Sequence, residues 1–213
     1  MKKLIGIFSV VAFMFALPAN AETNFGFSLI TGNYDTDGTE TEKTVSGVTS
    51  ETTSKSESKD FAGASLFAEY EMDGGIIIGL DWVPVDVKLG SGARTDSSSG
   101  ADVTAEADTG DRSAEASIEN LFTIYTHVPV GPVYGILGYL SADITTKETL
   151  PTSTYGDASV NGWQYGVGYK VGDTVRLEVA YSDFDSISLT SSANTNKITA
   201  DADAVSAKLS FAF

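Results

Sequence analysis

Val205-Ser206-Ala207-Lys208-Leu209-Ser210-Phe211-Ala212-Phe213 closes the chain with two kinds of side chain in alternation. Successive residues of a strand point to opposite faces. Val205, Ala207, Leu209, Phe211 and Phe213 therefore share one face, and Ser206, Lys208, Ser210 and Ala212 the other. A strand that is apolar outside, polar inside and ends on an aromatic residue suits a closed barrel sitting in lipid.

The opposite end agrees. Met1-Lys2-Lys3 is basic, Leu4 to Leu17 is almost wholly apolar, and Pro18-Ala19-Asn20-Ala21 supplies an Ala-x-Ala site. This pattern predicts a secretory signal peptide over residues 1–21, with the barrel domain over 22–213. The apolar run is too short for a spanning helix, and the next-longest apolar patch, Ile76-Ile77-Ile78, is far below the ~20 residues such a helix needs. No cysteine is present, so no disulfide framework holds the fold. The formal net charge of −16 becomes −18 once Lys2 and Lys3 leave with the signal peptide. That surface repels nucleic-acid phosphates and attracts cations.

Apolar-alternating segments recur between these ends. The expected strands run over residues 23–34, 61–72, 76–89, 115–128, 133–145, 158–171, 174–189 and 197–213. Asp73-Gly74-Gly75, Pro129-Val130-Gly131-Pro132 and Gly172-Asp173 are tight turns. Residues 35–59, 90–113, 146–157 and 190–196 are longer polar connections. Pro84 marks a bulge or the upper end of the third strand. Faces are clear in the last three strands. Both faces carry apolar groups in the fourth and fifth, whose register stays open. Eight strands with short and long connections in strict alternation predict an all-β, eight-stranded, antiparallel, up-and-down transmembrane β-barrel. Its first and last strands pair to remove the open edges, which lipid makes obligatory. Both termini fall on the tight-turn rim, expected to face the periplasm.

The aromatic residues fall in two bands, as membrane barrels require. Tyr70, Tyr169, Phe25, Phe211 and Phe213 lie near the tight turns; Tyr34, Trp82, Tyr139, Trp163 and Tyr181 lie towards the long connections.

Gly162-Trp163-Gln164-Tyr165-Gly166-Val167-Gly168-Tyr169 and Val175-Arg176-Leu177-Glu178-Val179-Ala180-Tyr181, with the terminal Phe213, resemble the closing strands of the small outer-membrane β-barrel family. That is the OmpA/OmpX-like and opacity-protein group. The resemblance covers about the last third of the chain. It implies integral insertion in the outer membrane of a Gram-negative bacterium. It implies an assembly signal at Phe213, Phe211 and Leu209, read by the outer-membrane assembly machinery. The chain ends at the barrel, so no peptidoglycan-binding domain is expected.

Charged residues on inward faces must be paired. Arg176, Glu178 and Lys208 face the lumen, with Glu178 expected at the height of Lys208; Glu69 and Asp81 are further candidates. They form either a polar plug or a switchable gate. His127 is the single histidine and lies near the tight-turn rim, where it is expected to be an interfacial strand-end residue. No nucleophile stands beside it, so no catalytic set is nominated. Asp35-Thr36-Asp37-Gly38 is a fragment of a calcium-loop pattern, too short to specify a site; Asp108-Thr109-Gly110-Asp111 is weaker still. No cofactor is expected. The resulting expectation is a monomeric, non-enzymatic surface protein that supports the envelope and presents acidic loops to divalent cations, lipopolysaccharide or other partners. A narrow porin-like channel is the alternative.

Overall fold

The computed structural model describes residues 22–43, 49–84, 86–96, 110–149, 154–192 and 196–213. The expected signal peptide at 1–21 and the candidate Asp108 lie outside the described residues. The strands are β1 (Glu22–Lys43), β2 (Thr49–Glu71), β3 (Ile77–Val83), β4 (Val87–Asp96), β5 (Gly110–Val130), β6 (Val133–Thr149), β7 (Ala158–Val171), β8 (Val175–Thr190) and β9 (Asn196–Ala212). Each pairs antiparallel with its sequence neighbour, except that β3 and β4 both pair with β5. β1 pairs with β9, so the sheet closes. Phe213 N–H donates to Phe25 O at 2.8 Å, carrying the closure to the last residue.

β3 and β4 occupy one position in the ring. Pro84 cannot donate to a ladder, and the strand breaks there. The bulge on β5 lies opposite: Val83 pairs with Leu121 and Val87 with Ile118, leaving Glu119 and Asn120 between them. Asn120 has φ 52°. The ring thus has eight positions built from nine segments. Following paired neighbours once round from Glu71 leads back to β2 at Phe61, ten residues along the same strand. Such stagger gives strands tilted by roughly 35–45°.

Two expectations about length are corrected. Residues 35–43 and 49–59 belong to β1 and β2, so the first polar connection is mostly a paired hairpin. Likewise β4 and β5 carry strand structure into the second polar stretch, to Asp96 and from Gly110. Thr-rich alternation suits a strand that is wet on both faces, but it lacks the apolar stripe by which strands are read.

The registers left open are resolved. On β5 the odd residues Thr123, Tyr125 and His127 are buried inside; on β6 the even residues Tyr134, Ile136, Leu140, Ala142 and Ile144 are. The outer wall is apolar: Phe25, Phe27, Leu29, Leu66, Ile78, Ile124, Leu137, Val167, Leu177, Val179 and Val205 are all exposed. Exposure of that many large apolar side chains over one band marks a lipid-facing surface.

One aromatic expectation is overturned. Tyr34 lies inside the barrel at 6% exposure. Phe25, Phe27 and Leu29 fix the outward parity of β1 as odd, so residue 34 must turn inward. Trp82 lies on the outer wall and stacks on Phe122 at 5.9 Å. Tyr139 and Trp163 meet edge to face at 5.3 Å, and Tyr181 is exposed beside them in height. Near the tight turns, Tyr169 is exposed and Phe211 stacks on Phe27 at 5.0 Å.

Candidate functional site

The lumen divides by height. Its tight-turn half is polar, and its long-hairpin half is more apolar, with Gln164, Ser182 and Ser206 also reaching into it.

In the polar half, Glu69 on β2 and Arg176 on β8 face each other across the bore. Glu69 Oε1 accepts from Arg176 Nη1 at 2.5 Å and from the Tyr125 hydroxyl at 2.7 Å. Both charged side chains are almost fully buried. Asp81 on β3 accepts from Lys208 on β9, and also from Ser65 Oγ at 3.1 Å. Lys208 reaches Glu178 at 3.7 Å, and the two are directly paired residues on β8 and β9. Glu178 in turn accepts from the Tyr134 hydroxyl at 2.7 Å. Below this level, Ser28 and Ser210 share a hydrogen bond of 2.9 Å across the β1–β9 seam.

The five charged residues nominated from sequence therefore come together in one network. Three partners were missed: Tyr125, Tyr134 and His127. His127 is buried inside, not at the interface, because β5 turns its odd residues inward. Its ring lies between Tyr125 and Tyr134, at 4.7 and 4.4 Å between centroids, with Nε2 3.6 Å from Glu178. Glycines make room for the two tyrosines. A Cβ on Gly79 would lie 2.2 Å from Tyr125 Cζ, and one on Gly168 2.1 Å from Tyr134 Cζ. Each ring lies flat on the bare backbone of the neighbouring strand. An inward glycine opposite an aromatic residue is the sequence signal for this packing, but reading it requires the register.

A network of three carboxylates, two cations and two phenols fills the polar half, with Glu69 Oε2, Arg176 Nε and His127 Nδ1 left as buried atoms without a hydrogen-bond partner among the described residues. Charges this deep are tolerated only when paired and hydrogen-bonded.

Above the network, Ile30, Tyr34, Phe61, Val83, Leu89, Ile118, Leu121 and Phe184 line a cavity of about 110 Å3. Ala142, Ile144 and Val160 form a packed cluster beside it. The Tyr34 hydroxyl crosses to β4, sharing its hydrogen between the carbonyls of Lys88 at 2.5 Å and Leu89 at 2.8 Å. These carbonyls sit at the irregularity where β4 slips against β5. On its other side, β4 has no ladder with β2, whose pairing to β3 stops at Leu66.

Asp35 and Asp37 lie in the β1 ladder, not in a curved loop, so they cannot wrap an ion as a calcium loop does. Asp203 is the paired neighbour of both Asp35 and Asp183, and Asp201 that of Asp37. All point outward, just past Val205 and Tyr181, where the apolar band ends. Burial, then the charges of Asp35, Asp183 and Asp37, hold the Asp203 carboxyl above its ordinary range. Among the described residues, no cluster of three His, Cys, Asp or Glu side chains is arranged to hold a metal ion.

A closed antiparallel ring, an apolar outer wall between aromatic bands and a polar-filled bore occur together in one setting. The chain is an outer-membrane-type β-barrel. Neither a protein-family model nor a curated protein matches the sequence. Solved structures of similar layout include Neisserial surface protein A, at 14% identity over 88% of this chain and 97% of that one, with a TM-score of 0.45. The outer membrane protein OprG from Pseudomonas aeruginosa is similar at 16% identity over 88% and 96%, with a TM-score of 0.46. The outer membrane protease OmpT from Escherichia coli is similar at 11% identity over 90% and 96%, with a TM-score of 0.42.

Proposed function

We propose that this barrel is a non-enzymatic protein of the Gram-negative outer membrane whose bore is sealed and whose work is done by its acidic outer parts. The observation that carries the reading is the network of Glu69, Asp81, Tyr125, Tyr134, Arg176, Glu178 and Lys208. A continuous water path would have to thread side chains already bonded to one another, and small barrels are filled in this way. On this reading the start of β1 and the end of β9 lie at the tight-turn rim and face the periplasm, and the long polar ends of β1, β2, β4 and β5 face outward. Phe213, Phe211 and Leu209 lie on the outer wall of β9, where assembly machinery can read them before the barrel closes.

The outward ladder of Asp35, Asp37, Asp183, Asp201 and Asp203 sits where lipid headgroups begin. It is a collar of charge and not a coordination site. It gathers divalent cations as a loose atmosphere and bridges through them to the phosphates of lipopolysaccharide. The protein acts as a monomer.

Planar-bilayer recording tests the sealed bore. The expected record is silent, whereas steady unitary openings would establish the narrow channel instead. For the collar, calcium titration by calorimetry in vesicles should give millimolar heats that Asp35→Asn/Asp203→Asn reduces, and no heat at millimolar calcium would remove the cation role.

A further inference from the structure

We propose that the cavity above the charged network is a binding site for a small neutral hydrocarbon of about the size of one aromatic ring. Tyr34, Phe61, Val83, Ile118, Leu121 and Phe184 give it apolar walls. Thr123, Gln164, Ser182 and Ser206 also reach it, Gln164 donating to Ser182 Oγ at 3.3 Å, but most of the lining surface is apolar, and cavities of this order with apolar linings take benzene-sized guests. The volume of about 110 Å3 fits such a guest and not a whole lipid.

The floor selects the guest's charge. Asp81, Glu178 and Lys208 line it, two carboxylates against one ammonium. Asp81 and Glu178 already share that ammonium. A carboxylate or phosphate entering from above would meet an excess negative charge, with no free cation among the described residues that line the cavity. A cationic head would have to displace Lys208 from its partners. A neutral guest avoids both costs. The site lies outside the collar and does not depend on a cation role. It uses the sealed network only as its floor, and bilayer silence and hydrocarbon binding are separately measurable.

The isoleucines supply an internal control. Ile30, Ile118 and Ile136 line the cavity, whereas Ile78 and Ile124 face lipid. In nanodiscs, benzene partitions into the bilayer and should move the Ile78 and Ile124 methyl resonances in simple proportion to its concentration. The methyls of Ile30, Ile118 and Ile136 should instead show a saturable shift. Ala204 also lines the cavity, so Ala204→Phe fills it without removing a wall and should weaken that saturation at least tenfold. Leu121→Trp serves the same purpose if the first variant does not fold. Benzoate at neutral pH should give no saturable shift. The proposal is overturned if the cavity methyls respond only in proportion, as the lipid-facing ones do. Unchanged saturation in a filled variant overturns it too, and benzoate binding as well as benzene overturns the charge selection.

Discussion

Replacing Arg176 by Met strips Glu69 of its cation and leaves that carboxylate with the Tyr125 hydroxyl alone. Arg176 is 4% exposed and Glu69 1%, so water cannot take over. Breaking one partner of such a buried pair costs about 3–5 kcal/mol, because the remaining charge stays desolvated. Glu69→Gln has the reciprocal effect on Arg176. Combining the two removes both charges, while the amide oxygen of the introduced glutamine still accepts from Tyr125. Isosteric neutral replacement of a buried pair is often neutral or better, so the double variant should lie within about 1 kcal/mol of the parent and above either single one. Equilibrium urea unfolding in lipid vesicles reads this out, with the outward-facing Trp82 and Trp163 reporting loss of lipid contact. A single Arg176→Met costing under about 1 kcal/mol, as an exposed pair would, refutes the reasoning. It would mean that the bore is wet and that the sealed reading fails with it.

Three further outcomes are expected. Gly168→Ala drives a methyl into the Tyr134 ring and dislodges its hydroxyl from Glu178, costing about 1–3 kcal/mol in the same urea assay. Tyr34→Phe deprives the Lys88 and Leu89 carbonyls of their donor, costing about 1–3 kcal/mol and speeding amide exchange in β4 more than in β7; equal effects on both strands would contradict the contact. Asp203 sits beyond the apolar band with its carboxyl raised, so the folded state holds that proton more tightly than the unfolded chain does. The stability it contributes is therefore full at low pH and lost as pH rises through its raised value. Asp203→Asn should stabilise the barrel at about pH 7 and make little difference near about pH 3.

The carboxy-terminal strands carried most of the fold. β7, β8 and β9 alternate without interruption, so Val167, Leu177, Val179 and Val205 declared the lipid face directly, and Arg176, Glu178 and Lys208 the lumen. Legibility failed where alternation carried no apolar contrast or where parity slipped. The extension of β1 and β2 is polar on both faces, so nothing in it repeats with a strand's period. The bulge around Asn120 shifts the parity of β5 midway, placing Ile118 and Leu121 on the same side as Thr123. His127 was expected at the interface, and Tyr125 and Tyr134 were not singled out, because a phenol or imidazole inside the lumen uses its ring for packing and only its tip for bonding. The break at Pro84 was legible as an irregularity, but the loss of the β2–β4 ladder above it depends on where β5 places the second half-strand.

The pairing across the bore also dictates an order of events. Glu69 and Asp81 lie on the second and third strands, while their cations come 107 and 127 residues later, on the last two. A half-inserted sheet begun from the amino end would drag two bare carboxylates through hydrocarbon, each costing several kcal/mol, together with an open edge along β1. Intermediates of that kind are too high in energy to accumulate. The carboxy-terminal hairpin must already be at hand when the first strands cross, so insertion is concerted and a chain truncated before β8 should stall outside the bilayer.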